Sequence, residues 1–222
     1  MTTATSMTAK RRQLVEDQLI ARGIADPRIL AAMGKVPREL FVPPIRREWA
    51  YEDRPLAIPA AQTISQPYIV AFMIEALRLT GSEKVLEIGA GSGYAAAVLA
   101  EVASEVFAIE RIGELVEFAR ANLQATGYTR VHLRHADGTQ GWQDEAPFDA
   151  ILVSAGAPDE PKTLMHQLKI GGRLVVPIGA DPSNQELIRI TRTGEDSFTR
   201  EDLTSVRFVP LIGSEGWKDG VE

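Results

Sequence analysis

The residues Gly89-Ala90-Gly91-Ser92-Gly93 place three glycines at alternate positions, directly behind the β-rich run Lys84–Ile88 and ahead of the apolar stretch Tyr94–Glu101. Glycines between a strand and a helix let the backbone approach a ligand closely. The helix start presents unsatisfied N–H groups and a partial positive charge, which suits an anionic or oxygen-rich ligand. Acidic residues stand where they would flank it. Glu87 lies inside the strand, two residues before Gly89. Glu110 ends the next strand candidate, seventeen residues after Gly93. There a carboxylate can accept from both ribose hydroxyls and repel a 2′-phosphate. Asp137-Gly138 follows the third strand candidate, where a carboxylate can accept from an adenine amino group and the neighbouring amide can donate to the ring. Read as the dinucleotide fingerprint Gly-x-Gly-x-x-Gly, the loop would end on the bulky Tyr94. Read as Gly-x-Gly-x-Gly, it fits completely.

The elements that must hold these residues change character near residue 82. Before it, the pattern predicts an amphipathic helix over 8–22 with Gly23 as its stop. A second short helix opens at Asp26-Pro27 as N-cap and first position. An irregular extended approach covers 45–62, and a helix follows from Pro67 to about Leu79. After residue 82, strands over 84–88, 106–110, 131–133, 148–154 and 173–178 alternate with helices over 94–101, 112–125 and 161–168. Gly171-Gly172 reads as a turn. Segments 185–191 and 204–209 are late strands forming an antiparallel end. The alternation predicts a doubly wound, mostly parallel α/β sheet behind an N-terminal helical segment, 1–81 and 82–222 forming one compact unit. The ligand crevice should lie at the carboxyl ends of the strands.

Composition narrows the classes. The chain has 222 residues, 45% hydrophobic and 24% charged, with no cysteine, so disulfide frameworks, thiolate metal sites and cysteine nucleophiles are excluded. The net charge of −6 offers no basic surface for duplex nucleic acid. No apolar run approaches the ~20 residues a membrane span needs. A cytoplasmic protein acting without nucleic acid or membrane is the expectation. His132, His135 and His166 are too scattered for a metal cluster.

The Gly-x-Gly-x-Gly loop resembles the first motif of Rossmann-like methyltransferases that bind S-adenosylmethionine. A second segment is more specific. Asp53-Arg54-Pro55-Leu56-Ala57-Ile58 and then Gln62-Thr63-Ile64-Ser65-Gln66-Pro67-Tyr68 is similar to the substrate-side motif of the protein-L-isoaspartate O-methyltransferase family. The resemblance runs on through Val85–Tyr94, Asp137-Gly138, Gln167–Gly179 and Val206–Leu211. It implies methyl transfer from S-adenosylmethionine to the free carboxylate of L-isoaspartyl residues in damaged proteins or peptides, leaving S-adenosylhomocysteine. The ester then collapses to a succinimide without the enzyme. The resemblance puts Ser65 at the active centre and Ile64, Ser154, Ala155 and Arg207 against the substrate. It puts Glu87, Gly89, Ala90, Gly91, Gly93, Tyr94, Glu110, Asp137 and Gly138 against the cofactor.

A carboxylate acceptor is ionised at neutral pH and needs no general base. The demand is in-line positioning in a water-poor site, for which Ser65 and Thr63 are hydroxyl donors. Helix capping ahead of Pro67 is a structural alternative for Ser65. Where the family usually has glycines, this chain has Pro59-Ala60-Ala61, implying a stiffer loop. A different carboxylate or small-molecule acceptor, a non-catalytic adenosyl-ligand module and a nicotinamide dehydrogenase are the rival readings. A monomer is expected.

Overall fold

Val85 and Leu86 are both fully buried, yet they belong to different cores, because successive side chains of a strand point to opposite faces. In the computed structural model, which describes residues 2–220, a short antiparallel pair stands beside one large sheet. The pair is β1 (Leu56–Ala57) and β2 (Thr63–Ile64). The sheet comprises β3 (Lys84–Ile88), β4 (Glu105–Glu110), β5 (His132–His135), β6 (Phe148–Val153), β7 (Leu168–Asp181), β8 (Asn184–Arg192) and β9 (Phe198–Val206). Their order is β5-β4-β3-β6-β7-β8-β9. Strands β5 to β7 run parallel in that order, and β8 and β9 add antiparallel ladders, as the sequence pattern predicts.

The helices are α1 (Thr2–Leu14), α2 (Pro27–Lys35), α3 (Pro67–Ala76), α4 (Tyr94–Val102), α5 (Gly113–Ala125) and α6 (Lys162–His166). One face of the sheet carries Val85, Ala108, Leu152 and Val175 against a cluster that takes in α2 to α5 and the N-terminal segment. The other carries Leu86, Ile109, Val153 and Val176 against Leu164 and Met165 of α6. Asp26 caps α2 by accepting from the Arg28 amide at 2.9 Å, with Pro27 at the first position. No helix among the described residues is long and apolar enough to cross a membrane.

Four elements differ from the sequence expectation. The helix expected over 8–22 starts at Thr2 and changes pitch, passing through a π turn (Val15–Leu19) and a 3-10 turn (Ile20–Arg22) before Gly23 at φ 94°. The widened turn brings Leu14 and Leu19, five residues apart, to the same buried side. The approach over 45–62 is ordered, with a 3-10 segment Pro44–Trp49 followed by β1. Gly171-Gly172 is not a turn but an irregularity inside β7, where a Cβ at Gly172 would sit 2.9 Å from the Lys169 carbonyl. The last strand lies at 198–206 rather than 204–209. Its polar edge residues carry no alternation to betray them. Residues 207–209 instead leave the sheet, the Phe208 amide donating to Gln185 Oε1 at 2.8 Å.

Candidate active site

Strand order reverses at β3, which has β4 on one side and β6 on the other. Such a switch point opens a crevice at the carboxyl ends of the strands. The Ser154 amide donates to the Ile88 carbonyl at 2.8 Å, closing the floor of that crevice. The loop from Gly89 to Gly93 forms one wall. Gly91 has φ 55°, and a Cβ there would stand 3.6 Å from Ile58 of the neighbouring hairpin.

Glu110 is buried at 6% exposure and grips this loop. Its Oε2 accepts from the Gly91 amide at 2.9 Å and its Oε1 from the Ile112 amide at 2.9 Å. The adjoining cavity, about 100 Å³, is lined by Gly89, Gly91, Glu110, Gly138, Ser154 and Ala155, with Gln62 and Thr63 on the near side. Its outer wall comes from residues 209–212. Val209-Pro210-Leu211 belongs to the segment that the resemblance sets on the substrate side, and only Ile212 of this wall escapes the sequence reading.

Glu87 is 1% exposed. Its Oε1 accepts from the Ser154 hydroxyl at 3.2 Å, and its Oε2 has no hydrogen-bond partner among the described residues. Burial pushes its pKa up to about 8, the Glu110 charge adding and the Ser154 hydrogen bond opposing. A buried, half-satisfied carboxyl group beside a glycine cradle, protonated at neutral pH in the unliganded protein, can ionise against the positively charged head of an adenosyl amino-acid ligand.

Thr63 and Ile64 arrive on β2, which pairs with β1 in the register Leu56↔Ile64 and Ala57↔Thr63. The turn that joins them places Ala60 at φ 56° and Ala61 at φ 55°, and Gln62 donates its amide to the Pro59 carbonyl at 3.2 Å. A two-residue hairpin turn with both central residues left-handed matches the strand twist. The alanines thus take the conformation that glycine would take without strain.

Ser65 follows, half-buried. The N-cap position of α3 is Gln66, and no side chain caps this helix. The structure therefore does not use Ser65 as a cap, and no hydrogen bond of its hydroxyl is found among the described residues. Ser65 and Ile64 line a small cavity shared with Glu87, Ala90 and Tyr94. Ser65 also lines a larger one of about 460 Å³ with Phe208 and Arg207. Thr63 and Ser154 line all three cavities, so they stand where the three meet. Arg207 is exposed and is the charged side chain of the large cavity's lining.

Three of the expected cofactor residues have other work. Gly93, at φ 85°, leaves room for α5: a Cβ would lie 3.1 Å from Leu123. Tyr94 points toward the N-terminal segment, edge-on to Phe41 at 5.6 Å, and its hydroxyl lies 3.5 Å from the Met33 sulfur. It reaches the site only through the small cavity's lining. Asp137 does not line the crevice although Gly138 does. Its Oδ1 accepts from the Thr139 amide (2.9 Å) and hydroxyl (2.7 Å), and its Oδ2 from the Ser214 amide (2.8 Å) and hydroxyl (3.0 Å). Burial alone would raise its pKa, but these donors outweigh burial and hold it below the usual value. Among the described residues, no group of three or more His, Asp or Glu stands close enough together to hold a metal ion.

Comparison with known proteins agrees with this geometry. The family model described as protein-L-isoaspartate(D-aspartate) O-methyltransferase matches residues 9–216. A protein-L-isoaspartate O-methyltransferase of Rhodopseudomonas palustris is 60% identical over 205 residues, covering 92% of this chain and 94% of the relative. One from Pelobacter propionicus is 56% identical over 208 residues, covering 94% and 92%. A solved protein-L-isoaspartate O-methyltransferase superposes with a TM-score of 0.82 at 30% identity, over 95% of this chain and 67% of that one. The Plasmodium falciparum structure, in complex with S-adenosyl-L-homocysteine, gives a TM-score of 0.79 at 26% identity, over 91% and 98%.

Proposed function

The chain belongs to the protein-L-isoaspartate(D-aspartate) O-methyltransferase family, and from that premise we propose how its residues divide the work. The activity is S-adenosylmethionine-dependent methylation of isoaspartyl residues in protein repair. The cofactor supplies a methyl group made electrophilic by a sulfonium. Gly89, Ala90 and Gly91 form the backbone cradle for it. Glu110 accepts from ribose hydroxyls with the lone pairs that Gly91 and Ile112 leave free. Gly138 borders the base. The unpartnered Glu87 Oε2 faces the positive amino-acid head.

The acceptor carboxylate enters the large cavity. Ser65 donates its hydroxyl to one carboxylate oxygen and leaves the other ionised and nucleophilic. Thr63 and Ser154 line the passage, while Ile64 and Ala155 keep it apolar. Arg207 attracts the incoming anion through its guanidinium, a local answer to an overall charge of −6 that gives no steering. No proton has to be removed, so orientation and exclusion of water are the protein's contribution.

The observation that carries this reading is the meeting of the cofactor and acceptor cavities at Thr63 and Ser154. The reading also carries a cytoplasmic monomer that binds no nucleic acid. The test is methyl transfer to peptides that differ only by isoaspartyl against aspartyl. Labelling of the isoaspartyl peptide alone is expected. Equal labelling, or none, would overturn acceptor specificity.

A further inference from the structure

Arg38 is fully buried, and nothing above gives it a task. It sits in a single 3-10 turn, Arg38–Leu40, behind Pro37. Burying a guanidinium is expensive without a counter-ion. Here its hydrogen bonds go to two backbone carbonyls. Nε donates to Ala50 at 2.8 Å and Nη2 donates to Ser65 at 2.7 Å, while Nη1 has no hydrogen-bond partner among the described residues. The guanidinium also lies over the Tyr94 ring, 4.9 Å from its centroid. Burial pushes its pKa down to about 10, so it stays charged at neutral pH.

The three contacts belong to three parts of the machine. Ala50 is in the N-terminal segment, Ser65 carries the acceptor-side hydroxyl, and Tyr94 is the first residue of the helix that leaves the glycine loop. A planar fork holds a fixed angle between the groups it bonds. An apolar side chain could fill the same volume at lower cost, so filling space does not account for a cation here.

We propose that Arg38 is a positioning residue for methyl transfer: it holds the Ser65 carbonyl against Tyr94 and thereby sets the Ser65 hydroxyl relative to the cofactor loop. The inference rests on the part given to Ser65 above. In-line transfer is sensitive to this setting, since a displacement of roughly 1 Å can cost about 100-fold in rate.

The experiment uses the full chain with Arg38→Lys, Arg38→Met, Ser65→Ala and the double variant Ser65→Ala/Arg38→Lys. It measures kcat and KM with the isoaspartyl peptide, S-adenosylhomocysteine affinity by calorimetry, and melting temperature. For both Arg38 variants kcat should fall about 100-fold, while peptide KM and cofactor-product affinity stay within about threefold. Arg38→Lys should recover melting temperature but not kcat. The double variant should be no slower than Ser65→Ala, because Arg38 acts through Ser65. A kcat for Arg38→Lys within about threefold of wild type overturns the proposal, as does additive loss in the double variant. If Arg38→Met does not fold, Arg38→Lys and the double variant decide alone. A wild-type chain that labels no isoaspartyl peptide sinks the functional reading and this inference together. An active wild type with an equally active Arg38→Lys sinks the inference alone.

Discussion

Glu110 Oε2 accepts from the Gly91 amide at 2.9 Å, so the carboxylate at the end of β4 fixes the middle glycine of the glycine loop. Its second oxygen holds Ile112, at the start of α5. Loop shape and the proposed ribose recognition therefore share one side chain.

Replacing Glu110 should damage both. Glu110→Gln keeps one carbonyl oxygen but loses the charge, and should weaken S-adenosylhomocysteine binding by about 10- to 100-fold, the worth of one or two charged hydrogen bonds. Glu110→Arg, which also adds a cation, should be worse. Calorimetry on the folded variants checks this, and unchanged affinity would remove Glu110 from the ribose site.

Ser65→Ala should separate function from stability. Its hydroxyl caps no helix, so the unfolding free energy should stay within about 0.5 kcal/mol of wild type. Methyl transfer should drop by at least about 100-fold, as for loss of one donor to a reacting charge. A large fall in melting temperature would show that the hydroxyl is structural after all.

Glu87 makes the unliganded protein pH-sensitive. Its pKa lies near 8 when folded, against 4.5 for an ordinary glutamate. The folded state thus holds a proton that the unfolded chain releases, and this contribution to stability is complete below about pH 4.5 and lost as pH rises through 8. Between pH 5 and 8.5 wild type should lose, relative to Glu87→Gln, on the order of a few kcal/mol of unfolding free energy. Urea titrations across that range read the difference directly. Parallel curves for the two proteins would mean that Glu87 is already ionised.

The hairpin turn invites a gain. Ala60 and Ala61 both sit at positive φ, a conformation costing an L-residue roughly 1–2 kcal/mol. Glycine there should raise stability by about 1 kcal/mol per site after its larger unfolded-state entropy is counted. The urea midpoints of Ala60→Gly and Ala61→Gly check the sign, and a destabilised variant would contradict the turn.

Much of this was legible in the chain because the informative signals are local. Strand, glycine loop and helix follow one another within Lys84–Val102, so their order places Gly89, Gly91 and Glu87 at the crevice. Thr63, Ile64 and Ser65 are brought to it by a two-strand ladder whose register is set by a short turn. What stayed hidden depends on distant partners. Asp137 reads as an acceptor for an adenine amino group until Ser214, far along the chain, is seen to occupy its second oxygen. Tyr94 reads as part of the loop until Phe41 and Met33 are seen to receive it. Arg38 has no sequence signature at all, since an arginine between Pro37 and Glu39 looks like any solvated charge. The π turn at Val15–Leu19 has none either, since the burial of Leu14 and Leu19 that goes with it is a tertiary matter.

The 460 Å³ cavity is lined by Pro55, Thr63, Ser65, Gln66 and Ile69 from one flank of the chain, by Ser154 just after β6, and by Ser183, Asn184 and residues 205–209 from another flank. No single cooperative unit of the fold owns it. A partial opening that swings either flank outward would erase the pocket while the parallel strands stay paired. Turnover should therefore fade on gentle heating before circular dichroism registers any loss, and enzymatic competence becomes the finest gauge of whether the two flanks are still docked.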